Sequence, residues 1–106
     1  MAFTGEEDHG MSLEEAAKLT ANYRRSVSTG TMLGGFFGKT AISNILNQTG
    51  CVGMRIYNGQ FKDGTATYVL VGVDAAGEDF ENGEIAEIVI PCPPNCPVSS
   101  TLAGTA

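Results

Sequence analysis

Apolar residues change their spacing twice along this 106-residue chain, and each change predicts an element. After a polar arm over residues 1–10, Leu13, Ala16, Ala17, Thr20, Tyr23 and Val27 recur every three or four positions, which draws one face of a helix. Ser12 is its N-cap and Glu15, three residues on, completes a capping box. Glu14 and Glu15 lie at the positive end of the helix dipole, Arg24 and Arg25 near the negative end, and Gly30 is the expected stop. Residues 30–38 are glycine-rich and read as a connection whose Phe36 and Phe37 anchor in the core. A second, shorter helix is predicted over 39–49, with Ile42, Ile45 and Leu46 on one face and Gly50 as terminator.

From Cys51 the period becomes two. Val52, Met54 and Ile56 alternate with Gly53, Arg55 and Tyr57, the pattern of a half-buried strand. Asn58-Gly59 and Asp63-Gly64 bracket a hairpin connection. Residues 65–74 are the most strand-like run, apolar on both faces and therefore central, with Tyr68 and Leu70 opposite Val69, Val71 and Val73. An acidic loop over 78–84 leads to a third strand at 85–90, which Pro91 ends. The expected architecture is α+β: two N-terminal helices packed on a three-stranded antiparallel β-meander, with extended termini. The organisation expected is one domain over 1–106, with an arm (1–10), a core (11–91) and a Cys-Pro turn with a tail (92–106).

Charge narrows the partners. Six Lys and Arg stand against twelve Asp and Glu, a net charge of −6. That balance argues against nucleic acid, whose phosphates call for many cations, and against an anionic membrane surface. No apolar run is long enough to span a bilayer, so no membrane insertion is expected. The N-terminus has no basic start, apolar stretch or cleavage site, which fits either a cytoplasmic chain or a mature form without its leader.

The cysteines are Cys51, Cys92 and Cys96, an odd number that suggests one local bridge and one thiol left over. Fully extended, Cys92 and Cys96 would sit about 12 Å apart, too far to join. A turn with Pro94 at its second position and Asn95 at positive φ brings them together, so a Cys92–Cys96 disulfide is expected under oxidising conditions.

Catalytic and ligand motifs are weak when set against their spacing. Gly34-Gly35-Phe36-Phe37-Gly38-Lys39-Thr40 looks like a phosphate loop, but Leu33 stands where the first glycine belongs, and neither a preceding strand nor a parallel sheet is expected. Cys51, Cys92, Cys96 and His9 lack a second paired-ligand spacing for zinc. The Cys-x3-Cys spacing misses the redox motif by one residue. Asp74, Glu78, Asp79, Glu81 and Glu84 do not follow a calcium loop and read as a solvated turn. His9 is the only histidine, which leaves little for acid–base catalysis. The sequon at Asn47 falls inside a predicted helix. No enzyme, cofactor, metal site or small-molecule substrate is expected.

The meander leaves two open edges and a partly apolar second face, while residues 65–73 carry no charge and Lys62 is the one lysine nearby. Uncharged segments at 1–4 and 98–103 could add to a neighbour's edge. Interface candidates are Phe3, Arg55, Tyr57, Tyr68, Val98 and Leu102. A contact that repeats without closing gives a filament, so the expected partners are copies of the chain itself.

Residues 50–57 (Gly-Cys-Val-Gly-Met-Arg-Ile-Tyr), 70–74 (Leu-Val-Gly-Val-Asp) and the Cys-Pro-Pro-Asn-Cys ending at 92–96 together resemble a group of small uncharacterised bacterial proteins that end in Cys-Pro-Pro-x-Cys. The resemblance covers most of the chain from Ser12 onward and implies no activity. In size and layout the chain is also similar to protomers of extracellular bacterial fibrils. That likeness implies a self-assembling structural subunit at the cell surface or outside the cell. The alternative expectation is a small binding or adaptor domain that uses the Arg55/Tyr57 face.

Overall fold

The structure, a computed structural model, describes residues 2–105. Ser12 opens helix α1 (Leu13–Ser26) as its side chain dictates: its Oγ accepts from the Glu15 N–H at 3.1 Å and donates to Glu15 Oε1 at 3.0 Å. The helix ends at Ser26, earlier than Gly30. Ser26 Oγ donates to the Tyr23 carbonyl at 2.8 Å, Val27 is extended, and Gly30 serves a following turn at φ +92°.

Strand β1 (Gly34–Phe36) comes next, then helix α2 (Lys39–Leu46), then strands β2 (Cys51–Gln60), β3 (Ala66–Asp74), β4 (Ile85–Ala86) and β5 (Ile90–Cys92). By contacts the chain divides into two compact units, Met1–Asp8 with Phe37–Val89 and His9–Phe36 with Ile90–Ala106.

The first unit holds an antiparallel sheet of order β2-β3-β4 with α2 packed against all three strands. Ile45 of α2 is its best-buried side chain at 1% exposure, and Leu70, Val71, Val73 and Val89 are buried with it. The β2–β3 register pairs Met54 with Gly72, Ile56 with Leu70 and Gln60 with Ala66, with an irregularity between Cys51 and Gly53. Two expectations need correction here. Asn58-Gly59 lies inside β2, and the hairpin turn is residues 61–65, closed by Phe61 N–H to the Thr65 carbonyl at 2.8 Å, with Gly64 at φ +91°. Leu70 and Val71 are neighbours in one strand and so face opposite sides, yet both are buried, so β3 is covered on both faces there.

The second unit contains α1, the two-stranded antiparallel sheet β1–β5 and the tail. The packing expected of both helices on the meander holds for α2; α1 belongs to this other unit and buries none of its residues. The glycine-rich connection is partly a strand: Gly34 pairs with Cys92, Gly35 with Pro91 and Phe36 with Ile90. Phe36 is 60% exposed and does not anchor in the core. The third strand of the meander stops at Ala86, and Pro91 sits within β5, which a two-stranded sheet tolerates because each strand keeps an open side.

The tail is coiled and not extended. Thr105 N–H donates to the Ser100 carbonyl at 2.9 Å, Ser100 N–H donates to Thr105 Oγ1 at 2.9 Å, and Ser100 Oγ accepts from the Leu102 N–H at 3.1 Å.

Candidate functional site

Two interface candidates, Arg55 and Tyr57, meet Asp79 of the acidic loop at one place in the first unit. Arg55 and Tyr57 share a β2 face by the two-residue period, and the loop after β3 brings Asp79 to them. Arg55 Nη1 donates to Asp79 Oδ1 at 2.5 Å and to the Gly77 carbonyl at 3.2 Å, while the Tyr57 hydroxyl donates to Asp79 Oδ2 at 2.5 Å. The phenol bond, with the guanidinium beside it, holds the Asp79 carboxyl below its ordinary range. The bond to Asp79 raises the Tyr57 phenol and the Arg55 guanidinium above theirs. Both oxygens of the carboxylate are thus occupied. Arg55 is tied to Asp79 within its own chain, and Tyr57 keeps 44% of its surface exposed.

Asp74, at the end of β3, is committed to its own backbone. Asp74 Oδ1 accepts from the Ala76 N–H at 2.9 Å and the Glu78 N–H at 3.0 Å, closing the turn after β3. Among the described residues, no group of three or more His, Cys, Asp and Glu side chains is placed to share a metal ion. The phosphate-loop resemblance meets a correction: a strand does precede Lys39, but the glycines Gly34 and Gly35 are themselves that strand, and it pairs antiparallel with β5.

Cys92 and Cys96 form a disulfide, with Cα atoms 4.7 Å apart. The turn that closes it differs from expectation. Among the described residues, Ile88 is the non-glycine residue at positive φ, so Asn95 does not adopt it; the Cys92-Pro93 and Pro93-Pro94 bonds are cis, and Asn95 N–H donates to the Pro91 carbonyl at 2.9 Å. Cys51 is free, with its Sγ donating to the Gly53 carbonyl at 3.1 Å.

The other interface candidates are scattered. Phe3 is half-buried in the first unit: its N–H donates to the Ala75 carbonyl at 2.8 Å, and its ring lies 3.4 Å from where a Cβ on Gly77 would stand. Tyr68 is half-buried on β3 opposite Asn58. In the second unit Val98 is 96% exposed, and the Leu102 carbonyl accepts from Arg24 Nη1 at 2.8 Å.

Sequence reasoning missed two polar residues that organise the first unit. Thr67 is buried on β3, and its Oγ1 accepts from the Val89 N–H at 3.2 Å. Gln48, just past α2, donates from Nε2 to the Ile45 carbonyl at 2.7 Å and accepts at Oε1 from the Glu84 N–H at 2.9 Å. Thr67 alternates with apolar neighbours like any strand residue, and Gln48 stands in a polar helix end, so neither carries a local signal.

The outer edge of β2 is the longest open feature of the sheet. β2 runs ten residues and, among the described residues, pairs only with β3. Gly5 closes on its Val52 end, since a Cβ there would stand 2.6 Å from the Val52 carbonyl oxygen. Beyond that point, Ile56 is 60% exposed and lies opposite Leu70, which is buried. No family model, curated protein or solved structure matches this chain.

Proposed function

We propose that this chain is a non-catalytic structural subunit that assembles with copies of itself into an extracellular fibril, joined through sheet edges and the terminal tail. The observation that carries the reading is the outer edge of β2. From Met54 to Gln60 it has neither lysine nor proline, and its one cation, Arg55, is neutralised by Asp79. Soluble strands usually protect such an edge with charge, proline or a bulge, and the irregularity in β2 lies only at its Cys51 end. Apolar residues stand uncovered at further edges: Ile85 on β4 is 51% exposed, and the cross-strand pair Phe36 and Ile90 is 60% and 47% exposed. Val98 adds an apolar tip on the tail. A disulfide suits an oxidising compartment.

The edge is tested by Ile56→Lys, which puts a charge where a neighbouring strand would pack. Sedimentation velocity at micromolar concentration should show large species for the natural chain and small discrete particles for this variant, with Val98→Ser intermediate. Small discrete particles for the natural chain would refute the reading and favour an adaptor that presents the exposed ring of Tyr57.

A further inference from the structure

We infer that α1 is a second joint between copies of this chain, made by two α1 helices packing antiparallel through the face that carries Leu13, Ala17, Ala21 and Arg24. The inference deepens the self-assembly reading but uses a surface separate from the β2 edge.

On this face the helix is covered only in part: Ala17, Ala21 and Arg24 are half-buried, with the tail against Arg24. Leu13 is 62% exposed, and none of α1 is buried. Positions 13, 17, 21 and 24 follow helical spacing, so they form one stripe. They line an open groove of about 530 Å³ whose other walls are Glu14, Lys18 and Thr101. Two alanines at the centre of the stripe let a second helix approach at the short end of the usual 8–10 Å separation.

Charge selects the occupant. The first turn carries Glu14 and Glu15, and the last turn carries Arg24 and Arg25. A two-fold axis at the level of Leu19 sets Ala17 against Ala21 of the second copy and Glu14 against its Arg24. The same pairs then form twice by symmetry, as an isologous contact requires. A parallel pair would instead oppose Glu14 to Glu14 and Arg24 to Arg24, and would align the two helix dipoles unfavourably. Arg24 is already held in place, since its Nη1 donates to the Leu102 carbonyl and Gly104 lies against its Nε and Nη2, and the positive charge it carries lines the groove. The Glu14–Lys18 pair on the same face is highly exposed, so it offers weak competition. Fourteen residues make a helix only about 21 Å long, and one such pair falls short of the ~1,200 Å² of a lasting complex. The joint therefore works in addition to the sheet-edge contact.

Sedimentation equilibrium of the full chain carrying Ile56→Lys, at several hundred micromolar, isolates this joint. That chain should dimerise weakly. Adding Glu14→Arg or Arg24→Glu should each weaken dimerisation about tenfold, because both symmetric pairs become like-charged. An equimolar mixture of the two should recover it, since every crossed pair is then opposite in sign. Ala21→Gln keeps good helix propensity and fills the groove, so it should abolish dimerisation with α1 still helical by circular dichroism. A monomeric Ile56→Lys chain, a mixture no more associated than its parts, or an Ala21→Gln chain that still dimerises would each overturn the α1 joint. If the natural chain still forms filaments in those cases, the β2 reading stands; α1 dimers from a chain that never forms filaments would remove the β2 reading and keep this one.

Discussion

Asp79 shows how one carboxylate can join two sequence-predicted contact residues, Arg55 and Tyr57, in a structural tie. Tyr57 is the leading cause of its depressed titration, so Tyr57→Phe should move the Asp79 carboxyl back up toward the ordinary range. Carbon-detected NMR titration of the side-chain carboxyl reads that shift directly. The linkage signs are opposite for the two partners. Asp79 is depressed in the folded chain, so its contribution is present above the unfolded carboxylate range and is lost as pH falls through its folded value. Tyr57 is raised, so its contribution is complete below the unfolded phenol value near 10 and is lost as pH climbs through the folded one. Thermal melts should therefore hold a plateau between those limits, and in Asp79→Asn the alkaline limb tied to Tyr57 should flatten.

At the same scale, Thr67→Val would leave the buried Val89 N–H without its acceptor, a loss of about 1–3 kcal/mol by urea denaturation. Gly72→Ala is expected to cost a similar ~1–3 kcal/mol, because its Cβ would stand 2.8 Å from Gln48 Nε2 and 2.9 Å from the Phe80 ring. Unchanged midpoints in both variants would show that the first unit is looser than described.

Among the elements, α1 depends most on its own ends, since it buries nothing. Ser12→Ala should cost about 1 kcal/mol of helix stability, read as roughly fivefold faster amide exchange within α1. Strand β5 depends on its staple. Opening the Cys92–Cys96 loop should cost up to about 2 kcal/mol in a chain-entropy account, seen as a lower denaturation midpoint with reductant.

Elements with signals inside a few residues were legible in the sequence: the Ser12 box, the apolar face of α2 around Ile45, and the central strand from its uncharged run. The misses needed information from distant residues. Asn58-Gly59 has turn chemistry, but it is drawn into β2 by pairing with Tyr68 and Thr67. Phe36 looked like a core anchor, yet Gly34 and Gly35 form a strand because β5, more than fifty residues later, supplies the partner. The Arg55 and Tyr57 face was legible from the period of two; its neutralisation by Asp79 was not, because a loop's path sets it. The tail illustrates the same limit, as the Ser100–Thr105 closure follows from hydroxyl contacts that composition does not order.

For the whole molecule, the central claim is that its open edges are joints. The first unit presents the ten-residue β2, and the second presents the exposed Phe36–Ile90 pair. An acidic chain with a net charge of −6 repels its own copies at low ionic strength, so assembly should strengthen as salt rises toward physiological levels. The most direct test is negative-stain electron microscopy of the natural chain at micromolar concentration, in physiological salt and without reductant, beside Ile56→Lys. The account predicts regular filaments for the natural chain and only small discrete particles for the variant. Discrete particles for both, or filaments indifferent to the substitution, would contradict it.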